Sequence, residues 1–324
     1  MKAASAIRRM NALGEQRIPF LFIVDFLGTH IQVLPLSAID PQQLLYNVQG
    51  ATNAPTVPLS DTPVQLEKFP VDYTTFEQAF ARVQYYIHRG DTYLVNLSFE
   101  TPITLNLSLR EVFYRSQARY KLYLQNQWVV FSPEPFCRID AQGIIRTYPM
   151  KGTIDAAVPE AVSQLLNDAK EQAEHTTVVD LLRNDLSQIA TDVHVPRFRY
   201  LEKITTHRQT LWQMSSEIQG QLPADYLDRI GELFFRLLPA GSISGAPKAK
   251  TIEIIREVEN YQRGYYTGVF GLFDGQQLDS GVMIRFIEQK GEQHIFKSGG
   301  GITYFSQPER EYQELMDKIY VPIY

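Results

Sequence analysis

The sequence predicts an α+β fold built on antiparallel sheets. Strand patterns and helix patterns come in separate blocks along the chain, without the regular strand–helix–strand alternation that is typical of a parallel sheet. An Asp274-Gly275 pair between two strand-like runs favours a hairpin turn. With 324 residues, of which 44% are hydrophobic and 21% charged, the chain suffices for one large domain or two average ones, and disorder is excluded.

The first 72 residues give the weaker patterns. Residues 20–27 are a strand candidate, and residues 50–64, rich in proline and threonine, are the best linker candidate. A clear helix pattern begins at Thr74, which has Glu77 three residues later as in a capping box. Residues 76–87 then carry apolar side chains at helical spacing, so we predict a helix there.

The rest of the chain changes repeatedly between extended and helical patterns. Alternation and apolar runs predict strands at residues 93–99, 121–132, 136–139, 144–148, 193–205, 265–273, 278–287 and 295–297. Apolar side chains at helical spacing predict helices at residues 160–186, 225–238, 247–258 and 308–320. This order of elements is the basis of the α+β prediction.

Composition and charge exclude several classes of function. Lys and Arg total 31 against 36 Asp and Glu, so the net charge is −5 and no basic surface for nucleic acid is expected. No apolar run near the N-terminus approaches the roughly 20 residues of a membrane span, and residues 1–17 lack a signal-peptide pattern. We therefore expect a cytoplasmic protein with neither a nucleic-acid nor a membrane partner. The single cysteine, Cys137, excludes an internal disulfide and a multi-cysteine zinc site.

Two pairs of glutamates stand three residues apart on predicted helices. Glu171 and Glu174, followed directly by His175, form the first pair, and Glu311 and Glu314 form the second. Carboxylates at this spacing share a helix face and suit a hard cation such as Mg²⁺. Each pair alone is more typical of a solvated helix face. The metal hypothesis therefore depends on whether the fold brings the two pairs together.

Two glycine-rich segments are candidates for binding an anion. Residues 239–248 precede a helix, but two residues separate Gly245 from Lys248, which excludes a nucleotide P-loop and leaves an anion site or a plain tight turn. The three glycines at 299–301 follow a predicted strand. They permit either the close approach of a carboxylate to the backbone or a bulge or sharp corner.

Three single charged residues are further candidates for chemistry. Arg285 projects from a predicted apolar strand, where it either binds an anion or pairs with a buried acid. Lys151 follows a strand; it is solvated or, if buried beside a metal cation, has a lowered pKa and acts as an amine nucleophile. Glu134 is an exposed turn acid or, if desolvation raises its pKa, an acid that protonates a leaving hydroxyl.

The order of the motifs along the chain is more specific than any motif alone. From about residue 73 to residue 324 they are Gly90-Asp-Thr-Tyr-Leu-Val-Asn-Leu-Ser98, Ser132-Pro-Glu134, Pro149-Met-Lys-Gly-Thr153, Ala173-Glu-His175, Val179-Asp-Leu-Leu-Arg-Asn-Asp-Leu186, Gly241-Ser-Ile-Ser-Gly-Ala-Pro-Lys248, Arg263-Gly-Tyr-Tyr-Thr-Gly268, Ser298-Gly-Gly-Gly-Ile302 and Glu311 to Lys318. This series resembles the chorismate-utilising enzymes, a family that includes anthranilate synthase component I, isochorismate and salicylate synthases, and aminodeoxychorismate synthase component I. The resemblance implies a reduced N-terminal segment, residues 1–72, packed on one catalytic domain of residues 73–324.

The resemblance also implies two stacked antiparallel sheets flanked by helices, with chorismate and Mg²⁺ bound between them. The metal-binding positions of the family are matched by Glu171, Glu174, Glu311 and Glu314. The catalytic positions are matched by Lys151, Glu134 and His175. The substrate contacts are matched by Arg285, Tyr266, Gly299, Gly300, Gly301, Lys318, Ser242 and Thr153. In this pattern Arg285 holds a substrate carboxylate and Glu134 lies near the departing C4 hydroxyl.

Within the family, Lys151 is similar to the lysine of aminodeoxychorismate synthase component I, where anthranilate synthases usually have alanine. The resemblance therefore implies attack of Lys151 on C2 and conversion of chorismate to 4-amino-4-deoxychorismate, towards p-aminobenzoate and folate. Because Cys137 has no glutaminase context, ammonia is expected from a glutamine amidotransferase partner. Leu94 stands where isochorismate-forming relatives have lysine, which disfavours hydration. The alternatives are anthranilate synthase component I and a non-catalytic chorismate-binding regulatory subunit.

Overall fold

The structure is a computed structural model that describes residues 1–205 and 210–323, and it consists of two antiparallel sheets with helices around them. The strands in this part of the chain are β1 Phe20–Val24, β2 Ile31–Pro35, β3 Leu44–Val48, β4 Ala51–Thr52, β5 Leu66–Lys68, β6 Leu94–Leu105, β7 Tyr120–Leu124, β8 Trp128–Ser132, β9 Pro135–Ile139, β10 Ile144–Thr147, β11 Met150–Asp155, β12 Thr191–Thr205, β13 Thr210–Gln221, β14 Gly245–Ala246, β15 Val269–Phe273, β16 Leu278–Val282, β17 Phe286–Lys290 and β18 Gln293–Thr303. The helices are α1 Ala3–Glu15, α2 Tyr73–His88, α3 Leu109–Arg115, α4 Ala161–Asn167, α5 Ala169–Ser187, α6 Ile230–Arg236, α7 Lys248–Val258 and α8 Pro308–Asp317. The predicted α+β fold with two antiparallel sheets is confirmed.

Each sheet contains strands from both ends of the chain. The first sheet has the order β11-β13-β10-β9-β16-β15-β1-β2, and β12 also pairs with β13. The second sheet has the order β14-β6-β18-β17-β8-β7-β3-β4, and β5 also pairs with β6. The first 72 residues thus supply β1 and β2 to one sheet and β3, β4 and β5 to the other.

Apolar side chains from the two sheets meet in a buried layer. Leu21 of β1 and Phe270 of β15 come from the first sheet, whereas Tyr46 of β3 and Trp128 of β8 come from the second. A larger cluster lies beneath α1, α2, α5, α6 and α7, and a third lies beneath α3. Burial of this apolar surface is the main driving force that holds the sheets and helices together.

Two predicted helix boundaries are wrong. The helix predicted at residues 160–186 is interrupted at Asp168, which separates α4 from α5 and caps α5 with its side chain. The cap predicted at Thr74 is instead Asp72, whose carboxylate accepts a hydrogen bond from the Thr75 N–H at 2.9 Å. In both places an aspartate satisfies N–H groups that the first turn of a helix leaves open. None of the helices described is long and apolar enough to cross a membrane.

Three strand predictions are corrected. Residues 121–132 form the hairpin of β7 and β8 rather than one strand. Residues 278–287 divide into β16 and β17, which belong to different sheets, so residues 283–285 cross from one sheet to the other. This crossing, and not a strand face, carries Arg285. The glycines at 299–301 lie inside β18 rather than after a strand.

The glycine-rich segment at 239–248 is shaped by close packing at two of its residues. Gly245 has a φ of +136°, and a Cβ atom there would lie 1.8 Å from the Leu94 carbonyl oxygen. Only glycine permits this approach of two backbones. Lys248 Nζ donates a hydrogen bond to Asp185 Oδ2 at 2.9 Å and so ties α7 to α5. Gly245 and Lys248 therefore serve the fold.

A buried ion pair connects several segments of the chain. Arg263 Nη2 lies 2.6 Å from Glu259 Oε1, and the two side chains are 2% and 1% exposed. The same carboxylate oxygen accepts hydrogen bonds from the backbone N–H and the hydroxyl of Ser98 on β6, at 2.9 and 2.8 Å. Arg263 also donates to the Ile243 carbonyl at 3.0 Å. The pair thus joins β6, the segment before β14 and the segment before β15.

We predict that Arg263→Met lowers the free energy of unfolding by about 3–5 kcal/mol, because it leaves the buried Glu259 carboxylate without its counter-ion. Urea denaturation of the parent and the variant measures this loss. The matched control is Arg82→Met, which removes an arginine at the same 2.6 Å distance from Glu257, with side chains 52% and 48% exposed. Its loss should be far smaller, and equal losses in the two variants would contradict the prediction.

Candidate active site

The glycines of β18 form the surface on which the candidate residues meet. A Cβ atom on Gly300 would lie 3.7 Å from Lys318 Nζ and 3.8 Å from both Glu311 Oε2 and Glu314 Oε1. A Cβ atom on the next residue, Gly301, would lie 3.4 Å from Lys151 Nζ. The bare backbone therefore lets charged side chains from α8 and β11 approach this strand closely.

The two pairs of glutamates flank this glycine segment. Glu174 on α5 is 5% exposed, and the Thr303 hydroxyl at the end of β18 lies 3.4 Å from its Oε1 atom. Glu311 on α8 is 4% exposed. Glu171 reaches β11, where a Cβ atom on Gly152 would lie 3.1 Å from its Oε2 atom. The fold thus brings together the two helix faces that the sequence left apart.

Lys151 is held by one of these glutamates. Its Nζ atom lies 2.8 Å from Glu174 Oε2. Burial alone would lower the pKa of Lys151, but the neighbouring carboxylates, chiefly Glu174, raise it above its ordinary value. When no cation is bound, Lys151 is a paired ammonium ion, and the lowered pKa expected beside a metal cation stays a prediction.

Lys318 occupies an equivalent place at the end of α8. Its Nζ atom lies 2.6 Å from Glu314 Oε1 and donates a hydrogen bond to the Gly299 carbonyl oxygen at 2.8 Å. Burial lowers the pKa of Lys318, and the carboxylate of Glu314 opposes that shift. Lys318 therefore brings a positive charge directly to the glycine segment.

Glu134 lies between the end of β8 and the start of β9, where its environment suits an acid. Its Oε1 atom accepts a hydrogen bond from the Ser242 hydroxyl at 2.9 Å. Burial raises the pKa of Glu134, although the Ser242 hydrogen bond and the positive charges of Arg285, Lys151 and Lys318 work in the opposite direction. A buried carboxyl with a raised pKa can carry a proton at neutral pH. Ser242, matched to a substrate contact, is here a partner of Glu134.

Arg285 stands where the chain crosses between the sheets. Its φ of +53° lies in the left-handed region, which is uncommon for a residue with a side chain. Its guanidinium lies over the Tyr320 ring at 5.5 Å, and its Nε atom has no hydrogen-bond partner within the described residues. Tyr266, on the segment before β15, is buried, and burial raises the pKa of its hydroxyl.

His175 is buried beside the metal-binding candidates. Its Nε2 atom lies 2.7 Å from the Ser216 hydroxyl, which also accepts a hydrogen bond from the Arg199 N–H at 2.9 Å. Burial, together with the charges of Arg199 and Lys151, lowers the pKa of His175 to about 4. The imidazole is therefore neutral at pH 7. Its catalytic role stays a prediction.

One candidate lies apart from the others, and three residues were missed. Thr153 sits on β11 opposite Gln213 with an exposed side chain. Thr303, Ser216 and Tyr320 contact Glu174, His175 and Arg285, respectively. No local sequence signal identifies these three residues, because each reaches its partner from an element distant in the chain.

The four glutamates offer only oxygen ligands, the donor set that Mg²⁺ prefers. No three His, Cys, Asp or Glu side chains in residues 1–205 and 210–323 converge closely enough to hold a metal ion as they stand. Two of the carboxylates are instead paired with lysines, Glu174 with Lys151 and Glu314 with Lys318. The donor chemistry fits a hard cation, and closing it around one requires these carboxylates to shift.

Comparison with known proteins agrees with this geometry. Residues 33–323 match the family described as chorismate binding enzyme. The chain is 48% identical over 324 residues, the full length of both proteins, to a protein of Pasteurella multocida (strain Pm70) described as PabA-like and uncharacterized. It is 33% identical over 262 residues to aminodeoxychorismate synthase component 1 of Bacillus subtilis (strain 168), which is 76% of this chain and 54% of that enzyme.

A solved structure shows the same architecture. Anthranilate synthase component I from Streptococcus pneumoniae TIGR4 matches with a TM-score of 0.66 and 26% identity, over 81% of this chain and 60% of that one. The chain thus spans little more than half the length of these two larger enzymes. The resemblance drawn from the order of the motifs is confirmed, and the chain belongs to the chorismate binding enzyme family.

Proposed function

We propose that the chain converts chorismate and ammonia to 4-amino-4-deoxychorismate, the reaction of an aminodeoxychorismate synthase component I. Family membership implies chorismate as the substrate. The observation that carries the finer proposal is the position of Lys151, whose amine lies over the glycine segment of β18 and beside Glu174. A primary amine in that place supplies a nucleophile for covalent catalysis.

Chorismate is a dianion, so a protein of net charge −5 must concentrate positive charge where it binds. Arg285 and Lys318 both lie near enough to Glu134 for their positive charges to oppose the rise of its pKa. The planar guanidinium of Arg285 suits a carboxylate. The glycine backbone at 299–301 adds N–H groups that no side chain screens. These groups support binding of both substrate carboxylates.

The proposed reaction has two halves. In the first, the Lys151 ammonium group gives a proton to water, which returns one at the end of the cycle, and the free amine forms a bond to C2. The ring double bonds shift, and the C4–O bond breaks while Glu134 protonates the departing hydroxyl, which leaves as water. In the second, ammonia forms a bond to C4, the bond from Lys151 to C2 breaks, and Glu134 takes a proton from the new ammonium group. The enzyme returns to its starting state, and one water is released per ammonia consumed.

Two further features of the site support amination. Mg²⁺ bound by Glu171, Glu174, Glu311 and Glu314 would neutralise the ring carboxylate and withdraw electron density from the ring. Leu94 on β6 reaches the same region, since its Cδ1 atom would lie 3.1 Å from a Cβ atom on Gly301. An apolar side chain there provides no base to activate water, so hydration of the ring is disfavoured.

Ammonia in this proposal comes from a glutamine amidotransferase partner. Hydrolysis of glutamine requires a reactive cysteine thiolate beside a histidine. The one cysteine of this chain, Cys137, is buried against the Ser280 hydroxyl, and burial raises its pKa to about 12. A thiol in that environment stays protonated and inert. An external source of ammonia is therefore part of the proposal.

The direct test is to incubate the purified protein with chorismate, Mg²⁺ and ammonium chloride and to identify the product by mass spectrometry. We expect 4-amino-4-deoxychorismate, with its enolpyruvyl group retained and no pyruvate released. A fluorescent aromatic product with pyruvate would instead identify anthranilate synthase activity. Absence of any turnover would favour the non-catalytic chorismate-binding subunit.

We predict that Lys151→Ala abolishes the covalent adduct and lowers kcat by orders of magnitude, because the nucleophile is lost. Intact-mass spectrometry of the parent protein during turnover should show an adduct of chorismate less one water. The control is Lys250→Ala, which removes a surface lysine paired with Glu253. It should leave both the adduct and kcat unchanged. An unchanged rate in Lys151→Ala would exclude the covalent route.

We predict that Ser242→Ala moves the alkaline limb of the kcat–pH profile to higher pH. Glu134 must be protonated to act as an acid, so activity is present below its pKa and is lost as pH rises through it. The Ser242 hydrogen bond stabilises the carboxylate and lowers that pKa; removing it raises the pKa further. The profile is measured for parent and variant at saturating ammonium, so that titration of ammonia affects both alike.

Glu134→Gln serves as the reference for this measurement. It should lower kcat by about 10²- to 10⁴-fold, the range for loss of a general acid, and remove the limb that Ser242→Ala displaces. A limb in Ser242→Ala that stays in place or moves to lower pH would show that Ser242 does not act through Glu134.

A further inference from the structure

Two lysines of this site form ion pairs with two of its glutamates. Lys151 Nζ lies 2.8 Å from Glu174 Oε2, and Lys318 Nζ lies 2.6 Å from Glu314 Oε1. Both glutamates belong to the set that offers oxygen ligands to a cation, and both lysines reach the glycine segment of β18. The same carboxylate oxygens therefore have two possible occupants, an ammonium group and a divalent cation.

We propose that Lys151 and the divalent cation compete for Glu174, so that binding of the cation frees the Lys151 amine from its ion pair. The inference rests on the proposed function for the roles of Lys151 and of the glutamates. It adds that cation binding and release of the nucleophile are one event. The free enzyme then holds its nucleophile in an ion pair until the cation has taken the carboxylate.

The burial of Glu174 makes this competition direct. The side chain is 5% exposed, its Oε1 atom lies 3.4 Å from the Thr303 hydroxyl, and its Oε2 atom is the partner of Lys151. A carboxylate enclosed in this way can shift towards a cation only by leaving one of these two partners. A cation that binds Oε2 must therefore displace the ammonium group of Lys151.

The glycine segment of β18 lies next to the amine that the cation would displace. A Cβ atom on Gly301 would lie 3.4 Å from Lys151 Nζ, so the amine already borders the bare glycine backbone where the proposed substrate lies. Exchange of a monovalent ammonium for a divalent cation also leaves Glu174 with a counter-ion throughout. The buried carboxylate therefore never lacks a counter-ion, and the displaced Lys151 side chain, 25% exposed, can contact water, which limits the cost of the exchange.

The experiment measures binding of Mg²⁺ alone by isothermal titration calorimetry, without chorismate. If Lys151 competes with the cation, Lys151→Met should tighten Mg²⁺ binding by about 5- to 150-fold, the usual range of coupling between linked sites. If Lys151→Met does not fold, Lys151→Gln is measured in its place. The control is Lys248→Met, which removes the same charge from an ion pair with Asp185, also on α5, at 2.9 Å. It should leave Mg²⁺ affinity unchanged.

A double-mutant cycle separates direct competition from a general effect of charge. In a Glu174→Gln background the affinity for Mg²⁺ is weaker, and a further Lys151→Met substitution should no longer tighten it. Tightening that persists without Glu174 would show that Lys151 acts only through its long-range field, and would overturn the proposal. Unchanged or weakened binding in Lys151→Met alone would also overturn it.

These outcomes are independent of the product that the enzyme makes. Tightened Mg²⁺ binding in Lys151→Met with no amination of chorismate would leave the competition intact and refute the proposed function. If the parent protein aminates chorismate only with Mg²⁺, but Lys151→Met leaves the Mg²⁺ affinity unchanged, the proposed function stands and the competition is refuted. Loss of Mg²⁺ binding in every variant, the parent included, would refute the cation site itself.

Discussion

The buried ion pair between Glu259 and Arg263 holds the strand on which the active site depends. Glu259 accepts two hydrogen bonds from Ser98, which is the register partner of Gly299 in the second sheet. Arg263 fixes the Ile243 carbonyl next to Ser242, and its own carbonyl accepts a hydrogen bond from the buried Lys297 at 3.1 Å. One pair thus holds β6, Lys297 two residues before the glycines of β18, and the neighbour of Ser242, the partner of Glu134. Disruption of this ion pair would therefore displace the surroundings of Lys151 and of Glu134 together.

The crossing between the two sheets explains why charged groups reach a site that the sheets would otherwise fill with apolar side chains. Residues 283–285 leave the first sheet at β16 and enter the second at β17. Arg285 sits in this crossing with a left-handed φ of +53°, and its carbonyl oxygen accepts a hydrogen bond from the Phe131 N–H of β8 at 3.1 Å. Backbone in sparsely populated conformations persists where the surroundings fix it, and such positions cluster at functional sites. The Arg285 guanidinium packs over the Tyr320 ring, 5.5 Å from its centroid.

Sequence patterns predicted the antiparallel sheets and most elements, because periodicity is a local property. They failed where the outcome depends on distant residues. The strand predicted at 278–287 is one apolar run, and only the topology shows that it serves two sheets. The glutamate pairs were recognisable from their spacing, whereas their meeting over β18 follows from the fold. The pairing of Lys151 with Glu174 was not predictable, since these residues lie 23 positions apart on different elements. The raised pKa of Lys151 follows from this pairing, and the lowered pKa expected beside a metal cation stays a prediction.

The lysines also supply counter-ions to two of the four glutamates of this site. Like charges brought together away from water repel one another and disfavour ionisation. Lys151 and Lys318 each neutralise one carboxylate at 2.8 and 2.6 Å, and Lys318 is further held by the Gly299 carbonyl. Glu174 and Glu314 therefore each have a counter-ion when no cation is bound. The groups that we assign to nucleophilic attack and to substrate binding thus first serve as counter-ions. It follows that removing either lysine affects folding, cation affinity and chemistry at once, so that activity alone cannot separate these roles.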